Sequence, residues 1–537
     1  MTARFAWREW AFALLLYAPI ALVYGAHFAA GWWESDRIGT GFIQYDQPSY
    51  MASAREYIDG SSSGLLYALP RERVPYAEPT LVQVHLWALS IVWRITGIDP
   101  GLLFVLFGAV FGVLAIRVFM ALFDTVVSVQ GGVRRWGQLL FVWGGGLLCL
   151  AGAAYGWMKG ARGLGLAEYL FEIDPAFGWW FLNLGRNLIY PNEAYYHFML
   201  FAALLLMVRG RFWMAGAVAA LLAWSHPFAG VGLLAISITW STLERFYVRN
   251  RSVPVGFIAW LAVTAASCAW YFFVWVPAHA NPELVGSIQL AWTLSAQAFI
   301  PAYALVALMT MANLRTPSRT LAFLGQPAHR LLAVMAVVNF MLENHEFAVE
   351  PHQPVHFARG YVWSALFLMG APWLLTEALP WCRSRGRMAA AALIGVATVA
   401  LLLDNALFFG TQIGRQLRAT AQSVWLTPDG REALGALRQL HRSEELLVSQ
   451  DLDLAHLAQV YTPYRTYAAH FFETRERSIY EPRQLAYFHK GELSDSLLTG
   501  PLMVVAMTDS GAFTPPGRAR LVYANTSYRL FRVEAVR

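Results

Sequence analysis

Long apolar runs separated by short polar segments dominate the first four hundred positions of this chain. They fall at 9–30, 80–96, 101–123, 136–154, 192–208, 212–226, 229–243, 254–277, 289–312, 328–343, 361–378 and 388–410. A membrane-crossing helix needs about 20 mostly apolar residues, so the pattern predicts an all-α polytopic membrane domain over residues 1–420. The run at 80–96 is short and carries His85 and Arg94, which reads as a partial or re-entrant segment and leaves about 11 spans. After residue 420 the pattern changes. Short β-like runs (446–448, 502–506, 521–523, 530–533) alternate with helix-like stretches (430–441, 452–460, 481–489), which predicts a small α/β domain over 427–537.

Composition supports the membrane reading. Of 537 residues, 57% are hydrophobic and 14% charged, with a mean hydropathy of +0.43. Soluble proteins carry roughly a quarter charged residues. The net charge of +6 does not indicate a nucleic-acid partner, because the arginines are scattered at the ends of apolar runs, where they set orientation. Arg134 and Arg135, Arg209 and Arg211, Arg245, Arg249 and Arg251, Arg315, Arg319 and Arg330, and Arg383, Arg385 and Arg387 mark alternate connections as cytoplasmic. The connections 155–191, 278–288 and 344–360 then face outward, as does the C-terminal domain, with the N-terminus inside. The first apolar run continues to Ala30 and ends at Gly31-Trp32-Trp33 without a small-residue cleavage site. It therefore reads as an uncleaved span. The three cysteines, Cys149, Cys268 and Cys382, imply no disulfide framework.

On that topology the polar residues that lipid does not explain gather on the outer side. Asp46 follows the first span. Asn192, Glu193 and His197 open the run 192–208, and the i, i+4 spacing of Glu193 and His197 puts both on one helix face. His226-Pro227 closes the run 212–226. The loop 344–360 holds His345, His352, His356 and Arg359, and Asp404-Asn405 lies near the end of the last span. Such convergence is what an outward-facing active-site cavity produces. Each residue also has a structural reading. Asp46 before Pro48 is a normal helix-capping arrangement, Glu193 is a first-turn acid, and His197 is a core histidine. His226 can accept a hydrogen bond where the helix is broken. Arg359 stands against the positive-inside trend, where a guanidinium suits a bidentate phosphate contact; its structural reading is snorkelling to headgroups. The histidines flank prolines in irregular backbone, so no clear metal-ligand set emerges. The cofactor is unknown: a divalent metal is possible but has no clear ligand set.

Four short motifs carry a resemblance. They are Tyr45-Asp46-Gln47-Pro48-Ser49-Tyr50 with the amphipathic stretch to Arg55, Glu78-Pro79-Thr80 opening a run that ends Thr96-Gly97-Ile98-Asp99, His226-Pro227-Phe228 followed by Ala229-Gly230, and Tyr467-Ala468-Ala469-His470-Phe471-Phe472-Glu473-Thr474 in the tail. In these the chain resembles the GT-C superfamily of integral-membrane glycosyltransferases, in its bacterial protein mannosyltransferase-like and aminoarabinose-transferase-like branch. Many relatives carry a second acid beside the first; this chain has Gln47. The resemblance implies transfer of a sugar from a polyprenyl-phosphate donor to a lipid, glycan or protein acceptor at the outer face of a bacterial cytoplasmic membrane. It implies Asp46 as general base, Arg359, His356 and His352 at the lipid phosphate, and Glu193, His197 and His226 lining the sugar or acceptor pocket. The alternative is a non-catalytic GT-C-like scaffold or a transporter of lipid-linked sugars. A transporter places ionisable groups near the midplane and shows paired broken helices; here they gather at one face.

Overall fold

A computed structural model describes residues 3–33, 36–59, 66–67, 81–179, 182–248, 253–275, 296–349, 354–469, 477–509 and 513–535. The chain divides into two compact units. The first comprises 1–21, 108–277 and 285–411, and the second 22–107, 278–284 and 412–537. In chain order the helices begin with α1 (Ala3–Ala29), α2 (Gln47–Glu56), α3 (Val84–Thr96), α4 (Pro100–Val126), α5 (Gly131–Trp143), α6 (Leu148–Met158) and α7 (Pro191–Val208). Next come α8 (Phe212–Ala223), α9 (Pro227–Thr242), α10 (Val255–Ala269), α11 (Ala296–Asn313), α12 (Pro317–Leu324) and α13 (Pro327–Glu343). The series ends with α14 (Tyr361–Pro372), α15 (Leu379–Arg385), α16 (Arg387–Leu417), α17 (Pro428–Leu440), α18 (Leu452–Tyr461) and α19 (Arg477–Lys490).

These helices follow the apolar runs, and the protein is a multi-pass membrane protein. Five helical segments are long and apolar enough to cross a bilayer: Trp7–Trp32, Pro100–Val126, Val255–Val274, His356–Arg385 and Arg387–Leu417. Counting two bent pairs as spans raises this to seven among the described residues, against about 11 expected. The runs at 192–208, 212–226, 229–243 and 328–343 form helices of 12 to 18 residues, at or below the spanning length.

The run 136–154, expected as one span, is broken into α5 and α6 with a 52° bend. Gly144-Gly145-Gly146 makes the break. A Cβ on Gly146 would lie 2.4 Å from the carbonyl oxygens of Pro301 and Ala302, so only glycine fits that approach. The backbone groups that the break releases must find partners in an apolar setting. Gly145 N–H donates to Leu401 O at 2.6 Å and Leu147 N–H to Pro301 O at 2.8 Å. The Asp404 carboxylate accepts from the N–H groups of Leu148 (3.1 Å) and Cys149 (2.9 Å), capping the first turn of α6.

Charged side chains mark the C-terminal end of α4, in the first unit. At its C-terminal end Glu9 of α1 meets Arg134 at 3.0 Å and Arg135 at 2.6 Å, both from α5, and Arg117 at 3.3 Å; Arg134 also pairs with Asp124 at 2.5 Å. The start of α1, the end of α4 and the start of α5 therefore share one end. Near the start of α4, a Cβ on Gly108 would lie 2.9 Å from Pro191 Cα, placing the start of α7 there. At 1.5 Å per residue the sixteen residues from Gly108 to Asp124 span about 24 Å. The head of α7 and the Glu9 network thus occupy opposite ends of α4.

The second unit is built on a five-stranded sheet. Two-residue strands β1 (Ile38–Gly39), β2 (Leu66–Tyr67), β3 (Leu81–Val82) and β4 (Trp425–Leu426) precede it, with β1 pairing β4 and β2 pairing β3. The sheet itself uses β5 (Leu446–Ser449), β6 (Arg465–Thr466), β7 (Leu502–Met507), β8 (Ala519–Ala524) and β9 (Tyr528–Val533) in the order β6-β5-β7-β9-β8. Strand β5 is parallel to β6 and β7, whereas β9 runs antiparallel to β7 and β8. Alternate residues face opposite sides. Leu446, Val448, Leu502 and Val504 pack with Tyr487 and Phe488 of α19. Leu447, Met503, Val505 and Leu530 pack with Leu434 and Leu437 of α17 and Leu454 and Leu457 of α18. Met51, Ala52 and Ala54 of α2 and Leu86, Leu89 and Trp93 of α3 belong to this same cluster. Helices α2 and α3 thus share one core with the C-terminal sheet.

Buried and exposed arginine pairs in the first unit should behave differently. Arg330 binds Glu244 through Nε (2.5 Å) and Nη2 (2.9 Å), both residues being buried. Arg315 and Arg319 share the more exposed Glu377. Replacing Glu244 by Leu is expected to lower unfolding stability in detergent micelles by about 3–5 kcal/mol, because it strands a buried cation. Glu377→Ala is expected to cost about 0–1 kcal/mol.

Candidate active site

The residue types singled out at the outward ends of the apolar runs come together in the first unit around Arg359. The short turn Val355–Ala358 ends at Arg359, and Gly360 follows with φ +71° before α14 begins. A Cβ on Gly360 would lie 2.6 Å from Asn183 C and Leu184 N, so glycine is required there both for its left-handed backbone and for the close approach. That corner fixes the direction of the arginine. Its Nη1 lies 2.5 Å from Glu193 Oε1, and its Nη2 donates to His356 Nδ1 at 2.8 Å. Glu193 and Arg359 are both 6% exposed, deep enough for the pair to be only weakly screened.

His197, one helical turn beyond Glu193, is fully buried. Its Nδ1 lies 2.8 Å from Glu193 O and its Nε2 3.0 Å from Arg359 O. A neutral imidazole donates from one nitrogen only, so one of these carbonyls receives the hydrogen bond unless the ring is protonated beside Glu193 Oε2, 3.7 Å away. Either way His197 ties α7 to the backbone of Arg359. His226 caps α9, with Nδ1 accepting from Ala229 N–H at 3.1 Å, which leaves the ring proton on Nε2. Its ring stacks on Tyr196 at 4.4 Å and lies 5.5 Å from His356, which stacks on Phe228 at 4.5 Å. Glu193, His197, His226, His356 and Arg359 therefore form one connected cluster at the head of α7. His352 lies outside the described residues.

Asp46 belongs to the second unit. It stands at the N-cap position of α2 but makes no side-chain capping bond, so the helix-capping reading does not describe it. Its Oδ2 accepts from Gln44 Nε2 at 2.9 Å, and its N–H donates to Gln44 Oε1 at 3.3 Å. The carboxylate is half-buried, while Gln47 beside it is 1% exposed and accepts from Ile43 N–H through Oε1 at 2.8 Å. Gln47 closes the turn that presents Asp46. Of the other resemblance motifs, residues 78–80 and 470–474 lie outside the described residues. Tyr467 is in the core, its hydroxyl donating to Asp495 Oδ2 at 3.1 Å. Among the described residues no group of three or more His, Cys, Asp or Glu is placed to hold a metal ion.

Sequence reasoning missed Arg186, a further buried cation in the first unit. Arg186 is 1% exposed; its Nη1 donates to Asp174 Oδ2 at 2.5 Å and its Nε to Asn405 Oδ1 at 2.7 Å. Its guanidinium carbon lies 4.6 Å from the centre of the Phe408 ring. Burial pushes the Asp174 carboxyl up to about 6 in spite of Arg186. Arg186 sits in the connection 155–191, which the arginine pattern of the sequence leads one to expect on the outward side. The criterion that picked out Arg359 picks it out as well.

The Glu193–Arg359 pair can be tested directly. Glu193→Leu removes the carboxylate from a buried guanidinium and is expected to cost about 3–5 kcal/mol of stability. Combining it with Arg359→Met is expected to cost less than the sum of the two singles, with a coupling between the two sites of about 1–3 kcal/mol. Denaturant unfolding of the purified singles and the double measures this; strictly additive losses would show that the two charges act independently.

No protein-family model matches the chain, and the comparison with curated proteins gives no match. Solved structures do match. The oligosaccharyltransferase of Archaeoglobus fulgidus in its apo form aligns with a TM-score of 0.53 at 13% identity, over 91% of this chain and 70% of that one. ArnT from Cupriavidus metallidurans in the apo state aligns with a TM-score of 0.51 at 13% identity, over 99% and 98%. The arabinofuranosyltransferase AftD from Mycobacteria gives 0.51 at 14% identity, over 97% of this chain and 40% of that one. At these identities the likeness is one of fold, and it is near full length on both sides for ArnT. The chain has the GT-C glycosyltransferase fold, a polytopic helical domain with a small C-terminal sheet region.

Proposed function

We propose that this protein transfers a sugar from a polyprenyl-phosphate-linked donor to a lipid, glycan or protein acceptor at the outer face of a bacterial cytoplasmic membrane. The observation that carries the reading is the Arg359 guanidinium, held in the first unit against Glu193 and His356 with His226 behind. A buried arginine needs a counter-charge, and a phosphate at this point would take over from Glu193 as that counter-charge. The fold shared with an oligosaccharyltransferase and an arabinofuranosyltransferase supports the class of reaction.

In this reaction Asp46 takes the proton from the acceptor hydroxyl as its oxygen attacks the anomeric carbon. The bond from that carbon to the phosphate oxygen breaks in the same displacement, with inversion, and the lipid phosphate leaves with the electron pair. Arg359 and His356, with His352 from the same loop, neutralise the charge that develops on it. Glu193 and His226 line the sugar or acceptor pocket, and His197 holds its wall by linking α7 to Arg359. The C-terminal domain lies on the extracytoplasmic side.

A second reading is a scaffold or transporter of lipid-linked sugars, favoured by Gln47 standing where a second acid is common. Purified protein in liposomes given a polyprenyl-phosphate sugar separates the two. The transferase reading expects turnover that falls about 10²–10⁴-fold in Asp46→Asn, with the unfolding midpoint unchanged. Unchanged turnover in that variant would remove Asp46 from the role of base. Movement of the donor across the bilayer without transfer would favour the second reading.

A further inference from the structure

Asp46 is gripped on both sides by a single helix of the C-terminal domain. The residue before it, Tyr45, hydrogen-bonds through its hydroxyl to the Asp453 carboxylate, and its ring lies 5.1 Å from the His456 ring. Three residues after Asp46, in the first turn of α2, Ser49 Oγ lies 3.2 Å from His456 Nε2. Asp453 and His456 are three apart on α18 and share one face, so a single surface holds the positions flanking the acid. The contact continues along the two helices. Arg55 Nη1 donates to Val460 O at 2.9 Å, and Met51, Ala52 and Ala54 share a core with Leu454, Leu457 and Ala458. His456 is 1% exposed. A polar ring so deeply buried between two helices costs free energy unless its hydrogen bonds are made, and a plain packing role would be filled as well by leucine.

We propose that His456 is a positioning residue: through Ser49 and Tyr45 it holds the first turn of α2 in the orientation from which the Asp46 carboxylate works. The C-terminal domain then contributes to the chemistry without supplying a reacting group. This inference rests on the reading of Asp46 as base. A displacement of about 1 Å in a reacting group can reduce turnover about 10²-fold, so a contact one turn from the acid is enough to matter.

The experiment uses the full chain in liposomes, with a polyprenyl-phosphate sugar as donor. His456→Leu keeps the bulk and removes the hydrogen bond; His456→Gln returns an amide near the place of Nε2. The expected result for His456→Leu is a kcat lowered about 10–100-fold with the KM for donor within about twofold. His456→Gln is expected to recover most of the kcat, and hydrogen exchange of the segment 45–50 should speed up in the leucine variant alone. Should the leucine variant not fold, Ser49→Ala removes one oxygen and carries the same expectation. Wild-type kcat in His456→Leu or Ser49→Ala overturns the proposal, as does equal loss in the leucine and glutamine variants. If the wild type transfers no sugar, the base reading fails and takes the positioning role with it. Hydrogen exchange then still reports whether His456 holds this segment.

Discussion

A cation taken out of water must be given a partner, and in the first unit that constraint recurs wherever helices meet. Arg330 has Glu244, Arg186 has Asp174, Arg359 has Glu193, and Arg134 and Arg135 share Glu9. All but Arg186–Asp174 join segments distant in sequence, and an unpaired buried charge would cost several kcal/mol. The pairs therefore fix which helix ends meet. The Glu9 network gathers the start of α1, the end of α4 and the start of α5, while Glu193 and Arg359 fasten the head of α7 to the corner before α14. The same rule shapes the backbone: where three glycines interrupt α5 and α6, the Asp404 carboxylate and two carbonyl oxygens take up the freed N–H groups.

The Arg359 cluster differs from the other pairs in what surrounds it. Arg330 is bound bidentately by a single carboxylate, an arrangement that completes itself. Arg359 instead divides its contacts between Glu193 and His356, and aromatic and imidazole rings stack beyond it. A guanidinium whose contacts are divided between a carboxylate and an imidazole is held less completely by its counter-charge than one bound bidentately. His197 belongs with the fold, since both of its nitrogens face main-chain carbonyls.

In the second unit the controlling term is hydrophobic. The sheet has two apolar faces. One is covered by α19; the other is covered jointly by α17, α18, α2 and α3. Burial of Met51, Ala52, Leu86 and Leu89 against residues more than three hundred and fifty positions later in the chain makes the loop bearing Asp46 part of the C-terminal domain's core. The polar contacts of Tyr45 and Ser49 with α18 are set on that packed base.

Much of this was legible in the sequence, because hydrophobic periodicity and length are local properties. The apolar runs located the helices of the first unit, and the alternating tail located α17 to α19 and β5, β7, β8 and β9 of a small α/β region, missing the two-residue β6. The departure of Arg359 from the expected positive-inside pattern marked it, and applied evenly the same criterion would have marked Arg186. The break between α5 and α6 was not legible as such, since glycines within an apolar run read equally as a continuous helix until Pro301, Ala302 and Asp404 are brought against them. Nor was the pairing of Glu193 with Arg359, or the sharing of one core by α2 and α18. Those depend on which distant surfaces meet, and no local pattern encodes that. The sequence by itself determined the class of protein, the approximate places of most of its elements and the list of polar residues that lipid does not readily explain. Only the tertiary structure decided which of them neutralise one another, because charge pairing and apolar burial are satisfied between segments far apart in the chain.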